Sequence, residues 1–430
     1  MLGRTFELTV MEWIHNGRLT AWENNLFSVG GFVRDFLINR ESHDVDLMVT
    51  IPGGAEKLAQ DFKVLFKDQI TTPIQMGAVY PIWSFEFKSG EFKDLKIDIA
   101  DSQKEMFPKN DQRQRVTSYG DFNEDIQRRD FTVNMLARNL TTDEIIDQSG
   151  CGQIDLQQKI LRTHPNVDAA KILSDDPLRI IRAVRFACTH DFKIEQALFK
   201  TMQDQAERIK IVSAERILLE LTKITASEKF TYALELFLEL KMMSTVFTET
   251  VEKMLLDANT MSLIQKILKR TEKRISYQLS GLFYFLNQSE IEVLTTKLKL
   301  SHTLKKEIVT IISLTEKLLL MDSQSFVEVR SFLRSCDLKI EELVRFASGV
   351  SIDFDVTGFM ALQKKCSFVA ISKKPLLDGH EISELLGVSG PDIKKAQDIL
   401  FKIEDQYILE NSQSPSKEWA REQLLKKTKT

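Results

Sequence analysis

Apolar residues change their spacing once along this chain. Over roughly the first 150 positions they come in short runs and alternations, and from about residue 167 they recur every three or four positions almost without interruption. Asn25-Leu-Phe-Ser-Val29 predicts a short strand, the glycines that follow predict a turn, and Phe32 to Ile38 continues at helical spacing. Asp44-Val45-Asp46-Leu47-Met48-Val49 predicts a second strand. Thr72 to Phe87 is rich in β-formers, and Leu95 to Ala100 alternates cleanly. The later part predicts helices at Leu178 to Ala187, Ala214 to Ile224, Lys229 to Leu240 and Ile308 to Leu320. The expected architecture is α+β: a small head with a mixed sheet on a long all-helical body. A polar run from Lys104 to Arg115, within the stretch between Asp101 and Asp125, predicts a mobile loop.

Composition narrows the class. A chain of 430 residues holds material for two to four domains, and 43% hydrophobic with 28% charged residues is ordinary for a globular protein. No run of about 18 apolar residues occurs, so no membrane span is expected. The start, Met1-Leu-Gly-Arg-Thr-Phe-Glu, lacks the pattern of a secretory signal. Cys151, Cys188, Cys336 and Cys366 are far apart and without metal-type spacing, which suits a reducing cytoplasm. Six scattered histidines argue against a zinc site, and His190-Asp191 reads as an accident of a loop. The net charge of −4 is unexpected for a nucleic-acid enzyme, but binding depends on local patches. Basic residues do cluster: Arg179, Arg182 and Arg185 at three-residue spacing, Arg113 and Arg115 near Arg128 and Arg129, and Lys426, Lys427 and Lys429 at the end.

The most informative segment is Gly30-Gly31-Phe32-Val33-Arg34-Asp35, followed by His43-Asp44-Val45-Asp46. The glycines stand between a strand and a helix, where exposed N–H groups and a positive helix end suit a polyphosphate. Arg34 adds a cation one turn in. Side chains alternate along a strand, so Asp44 and Asp46 point to one side. Two adjacent carboxylates repel each other unless a cation lies between them, and Mg²⁺ is the ordinary one. A phosphate cradle beside metal-binding carboxylates implies phosphoryl-group chemistry on a nucleoside triphosphate. Neither Gly-x-Gly-x-x-Gly nor Gly-Lys-Ser/Thr occurs here, which excludes a Rossmann fingerprint and a P-loop.

Two further blocks are Glu124-Asp-Ile-Gln-Arg-Arg-Asp-Phe-Thr-Val-Asn-Met-Leu-Ala137 and Ser174-Asp-Asp-Pro-Leu-Arg-Ile-Ile-Arg-Ala-Val-Arg-Phe-Ala187. With the Gly-Gly-x-Val-Arg-Asp head they closely resemble the class II tRNA nucleotidyltransferases, the CCA-adding enzymes, with bacterial poly(A) polymerases as close relatives. The match is detailed over residues 25 to 225, and Pro375 to Gly387 resembles the family's tail more loosely. The resemblance implies a polymerase-β-like nucleotidyltransferase head (1–150), a helical neck that reads the base (151–225), a helical body (226–365) and a tail that binds tRNA (366–430). It implies catalytic Mg²⁺ on Asp44 and Asp46, and triphosphate at Gly30, Gly31 and Arg34. Ribose and phosphate contacts fall to Arg128, Arg129 and Asp130. Base reading falls to Asp176 and Arg179, with Arg182 and Arg185 on the same helix. The family's usual Glu-Asp is Asp175-Asp176 here.

Such a pair has a physical rationale. C and A share an exocyclic amine beside a ring-nitrogen acceptor, which a carboxylate and a guanidinium satisfy in one plane. Uracil and guanine present the reverse, at about 1–3 kcal/mol per unmatched group. Asp176-Pro177 is equally a good helix start. Asp98 is a candidate third carboxylate, and Glu215-Arg216 reads as a structural helix start. The implied reaction extends the 3′ end of tRNA with CTP and ATP. The long polar segment at 101–125, which CC-only members tend to shorten, implies that A is added too. A poly(A) polymerase, a CC-only or A-only enzyme, or a catalytically silent RNA-binding protein are the alternatives.

Overall fold

A computed structural model describes residues 2–77, 81–106 and 116–428. The chain divides into two compact units. One comprises Met1–Ile217 with Leu236–Val246, the other Leu218–Glu235 with Phe247–Thr430. The expected head and nearly all of the expected neck thus fall within the first unit.

That unit contains a seven-stranded sheet. Its strands are β1 (Leu26–Val29), β2 (Asp44–Val49), β3 (Ile74–Met76), β4 (Ile82–Glu86), β5 (Lys96–Asp101), β8 (Leu136–Asn139) and β9 (Ile145–Asp147). They lie in the order β3-β4-β5-β2-β1-β8-β9. Only β2 and β5 run parallel, and they sit at the centre. Alternation along β2 sends Val45, Leu47 and Val49 into a core shared with α1 (Leu2–His15) and α3 (Gly54–Phe66), where Phe6, Phe62, Ile97 and Ile99 are also fully buried. Met48 points to the opposite face and packs with Phe27, Val29, Ile126, Met135 and Ala137. Asp44 and Asp46 share that second face with it.

The polar segment after Asp101 is not simply a mobile loop. Gln103–Met106 (β6) and Val116–Tyr119 (β7) form an antiparallel hairpin. Buried Ser102 donates to the Gly120 carbonyl at 2.6 Å, and the Gln103 N–H donates to the Asp125 carboxylate at 3.0 Å. Residues 107–115, which make up most of the expected loop and include Arg113 and Arg115, lie outside the described residues, as does Lys429.

The expected helices form. They are α2 (Gly31–Leu37), α7 (Leu178–Thr189), α9 (Ala214–Thr225), Phe230–Glu239 and His302–Leu320, and the chain also forms α4 (Phe122–Gln127), α5 (Gly152–Gln158), α6 (Ala169–Asp175) and α8 (Gln196–Gln205). The second unit is all-helical among its described residues. Its most deeply buried cation, Arg330, donates to Asp405 at 2.8 Å and to the carbonyls of Cys366 and Val369. It fastens helix Phe326–Ser335 to helix Pro391–Asn411 and to the turn between 366 and 370. No helix among the described residues is long and apolar enough to cross a membrane.

Candidate active site

The turn between β1 and α2 fixes the first part of the site. Gly30 has φ +66 and ψ −129, and its N–H donates to Leu136 O at 3.0 Å. A Cβ there would lie 2.8 Å from Arg129 Nη1, so both conformation and space require glycine. Gly31 is different: a Cβ would meet only the Arg34 guanidinium, at 3.5 Å. Helix α2 is only two turns long, so charge at this turn comes chiefly from neighbouring arginines. Arg34 is buried: Nε and Nη2 donate to Asp35, Nη1 donates to Asn134 Oδ1 at 2.6 Å, and the guanidinium lies 5.0 Å from the Phe186 ring centre. It is therefore part of the scaffold as well as a cation beside the turn.

On the sheet, Asp44 pairs in register with Lys96 and Asp46 with Asp98. Parallel register puts all four side chains on one face. Burial, together with the charges of Asp98 and Asp44, pushes the Asp46 carboxyl up to about 6, with Arg129 opposing. Asp98 Oδ2 accepts from Lys96 Nζ at 2.6 Å, whereas its Oδ1 is buried without a hydrogen-bond partner. This donor set fits a hard divalent cation: clustered carboxylates, one orphaned oxygen, and an ionisation cost that a positive charge would remove. Among the described residues, no three acidic, His or Cys side chains already converge as a metal cage.

The arginines expected to contact the nucleotide are held from behind. Arg128 and Arg129 both donate to buried Asp125, at 2.7 and 2.9 Å, an i,i+3 and i,i+4 arrangement across the end of α4. Burial raises the Asp125 carboxyl, but Arg129 and Arg128 outweigh it and hold it below its ordinary value. Asp130 is buried too. It accepts from Arg182 at 2.6 Å and from Asn134 Nδ2 at 2.8 Å. There again burial is overcome, by Arg182, Asn134 and Arg179, and the carboxyl lies far below the usual range. Arg185 packs its guanidinium 4.0 Å from the Phe186 ring centre and is almost wholly buried.

Asp176 and Arg179 have separate partners. Asp176 closes α6 and its Oδ1 accepts from the Leu178 N–H at 3.3 Å, so the helix-start role is real. Its Oδ2 accepts from Arg216 Nη2 at 2.7 Å. Arg216 thus ties the start of α9 to Asp176. Arg179 donates to Ile172 O at 2.9 Å and to Arg128 O at 2.6 Å. A continuous path thus runs from Gly30 through Arg129, Asp125 and Arg128 to Arg179.

Sequence reasoning missed Asp35, Asp125, Asn134, Arg216 and Lys96 as partners. Asp125 was findable, since its spacing to two arginines suits one helix face. His190 corrects an expectation outright. It is no loop accident: it is buried against Asp35 at 3.4 Å and packs on Phe186 and Phe192. Burial and the nearby Arg34 and Arg40 charges lower its pKa, against the pull of Asp35. A long-range packing contact leaves no local signal.

Two family models match this chain: the poly A polymerase head domain over residues 26–162, and the probable RNA and SrmB binding site of polymerase A over 191–254. The CCA-adding enzyme of Lactococcus lactis subsp. cremoris is 28% identical over 398 residues, covering 89% of this chain and 88% of that protein. The chain thus carries a stretch matching the poly A polymerase head domain and is similar over most of its length to a CCA-adding enzyme. A CCA-adding enzyme of Pediococcus pentosaceus is 34% identical over 216 residues, half of each chain. The fold is that of the Bacillus stearothermophilus CCA-adding enzyme solved with CTP, at TM-score 0.72 and 19% identity over 98% of both chains. The Thermotoga maritima CCA-adding enzyme complexed with tRNA aligns at TM-score 0.62 and 20% identity, covering 94% of this chain and 91% of that one. The α+β head and helical remainder expected from sequence agree with these neighbours. A tRNA nucleotidyltransferase of Schizosaccharomyces pombe is 31% identical over 239 residues, covering 54% of this chain and 47% of that protein.

Proposed function

We propose that this enzyme adds C and A from CTP and ATP to the 3′ end of tRNA without a nucleic-acid template. The observation that carries the reading is the union, within one unit, of the carboxylate face of β2 and β5 with an arginine path reaching Arg179. Relatives named as CCA-adding enzymes over nearly the whole chain support it. Four free cysteines support a reducing compartment, the cytoplasm.

Asp44 and Asp46, with Asp98 beside them, would hold Mg²⁺, which when bound supplies charge neutralisation at the α-phosphate and acidifies the attacking hydroxyl. The chain's own groups do the rest. The Gly30-Gly31 turn leaves room for phosphates, and Arg128 and Arg129, held by Asp125, face them with fixed positive charge. The remaining acceptor capacity of Asp176 and the remaining N–H groups of Arg179 would meet the base amine and ring nitrogen of C and A, a pattern that U and G reverse. Arg182, fixed by Asp130, and Arg185, packed on Phe186, keep the neck helix in register with the head. The tRNA 3′-hydroxyl attacks the α-phosphate and pyrophosphate leaves. No covalent enzyme intermediate is required. The expected neck, body and tail divisions at 151–225, 226–365 and 366–430 assign tRNA binding to the helical segments.

The test is to incubate purified protein and Mg²⁺ with tRNA lacking its CCA end and to size the products. Two additions with CTP, and a third only when ATP is also present, are expected. A long ladder with ATP alone identifies a poly(A) polymerase, arrest at two a CC-adding enzyme, and no extension a silent RNA-binding scaffold.

A further inference from the structure

The carboxylate face carries a cation of its own. Lys96 stands two residues before Asp98 on β5, directly in register with Asp44 on β2. Its ammonium is 2.6 Å from Asp98 Oδ2, while the carboxylate's other oxygen is buried and unpartnered. The Lys96 side chain is 39% exposed, so an extended, solvated rotamer is open to it, yet it folds back onto the sheet. The four side chains form a square on one face, three acids and one base. The ammonium is the positive charge held among them by the chain itself.

We propose that Lys96 is a built-in counter-ion that occupies the third carboxylate until a divalent cation takes its place. It acts as a positioning residue, and the inference rests on the reading of Asp44 and Asp46 as metal ligands. A divalent ion held by Asp44 and Asp46, with Asp98 beside them, would repel the ammonium and weaken its hold on Oδ2. In the metal-free state Lys96 holds the Asp98 carboxylate in place and lowers repulsion with Asp46 and Asp44. It also makes the bare site a weak metal binder. Full occupancy is thereby tied to the arrival of a nucleoside triphosphate, whose own negative charge outcompetes Asp98 for the ion and the ammonium alike. This separates Lys96 from the arginines of the site, which are bound to Asp125 and Asp130 and have no carboxylate of the metal face to release.

The experiment titrates nucleotide-free protein with Mn²⁺ and follows the free-ion EPR signal, at low and high ionic strength. Lys96→Met keeps the length and apolar stem while removing the charge. It should bind Mn²⁺ about three- to tenfold more tightly than wild type at low salt, the gap narrowing as salt screens the ammonium. Lys96→Arg should bind as wild type does or more weakly, because its charge persists. Saturation with a non-hydrolysable CTP analogue should shrink the difference between Lys96→Met and wild type. Unchanged or weaker Mn²⁺ binding by Lys96→Met, in a protein with wild-type circular dichroism, overturns the proposal. Asp46→Asn is the control on the underlying reading. If it binds Mn²⁺ like wild type, the metal site itself is misassigned; if it loses binding and Lys96→Met gains none, only the counter-ion role fails.

Discussion

Asp46→Asn should make the metal-free protein more stable while removing its activity. Asp46 is half-buried, and burial, Asp98 and Asp44 move its carboxyl from an ordinary 3.8 to about 6. That displacement corresponds to about 3 kcal/mol set against folding once the group is fully ionised. Solvent relaxation at a half-buried position reduces it, so a gain of about 1–3 kcal/mol is expected for an isosteric, uncharged replacement. The sign fixes the pH window. The folded pKa lies above the unfolded one, so the penalty is absent below about pH 4, grows between about 4 and 6, and is complete above that. Urea unfolding with a chelator present, at about pH 7.5 and pH 4, measures it. Trp13, Trp22 and Trp83 report on the head and only Trp419 lies elsewhere, so fluorescence isolates the relevant unit. Excess Mg²⁺ with CTP should then stabilise wild type but not the variant. An Asp46→Asn protein no more stable than wild type at pH 7.5, or equally stabilised at pH 4, refutes the electrostatic account.

Other perturbations separate scaffold from chemistry. Asp125→Asn removes the charge that orients Arg128 and Arg129, so the KM for CTP and ATP should rise tenfold or more (about 1.4 kcal/mol or above) while tRNA affinity in a filter-binding assay stays within twofold. Asp130→Asn removes the buried carboxylate that holds half-buried Arg182 and should cost about 1–2 kcal/mol of stability by urea unfolding. Because its folded pKa is depressed, that loss should fade as the pH falls below about 4. Arg179→Ala should admit UTP or GTP in competition assays, and unchanged CTP and ATP selectivity would remove it from base reading. In the second unit, Arg330→Met alone should cost about 3–5 kcal/mol, read by urea unfolding. The double change with Asp405→Leu should recover only part of it, because Asp405 also accepts from Arg334 at 2.8 Å.

The strand–glycine–helix–strand order and the shared side of Asp44 and Asp46 are local. They follow from apolar spacing and from alternation along an extended chain, so the sequence by itself determined them. The helical remainder follows likewise from three- and four-residue spacing. Gly30 was legible as a turn, but its need for glycine comes partly from Arg129, 99 positions later, whose guanidinium fills the space of a Cβ. Asp98 became a neighbour of Asp46 only because β2 and β5 run parallel side by side, a pairing set by long-range register. The same holds for Arg216 on Asp176 and His190 on Asp35, contacts across 40 and 155 positions. Polar composition gave no sign that Gln103–Met106 pairs with Val116–Tyr119, because pairing of backbone groups does not require apolar side chains. Periodicity reports which side of an element faces inward. What each inward or clustered charge meets there depends on distant segments, and only the tertiary structure decided it.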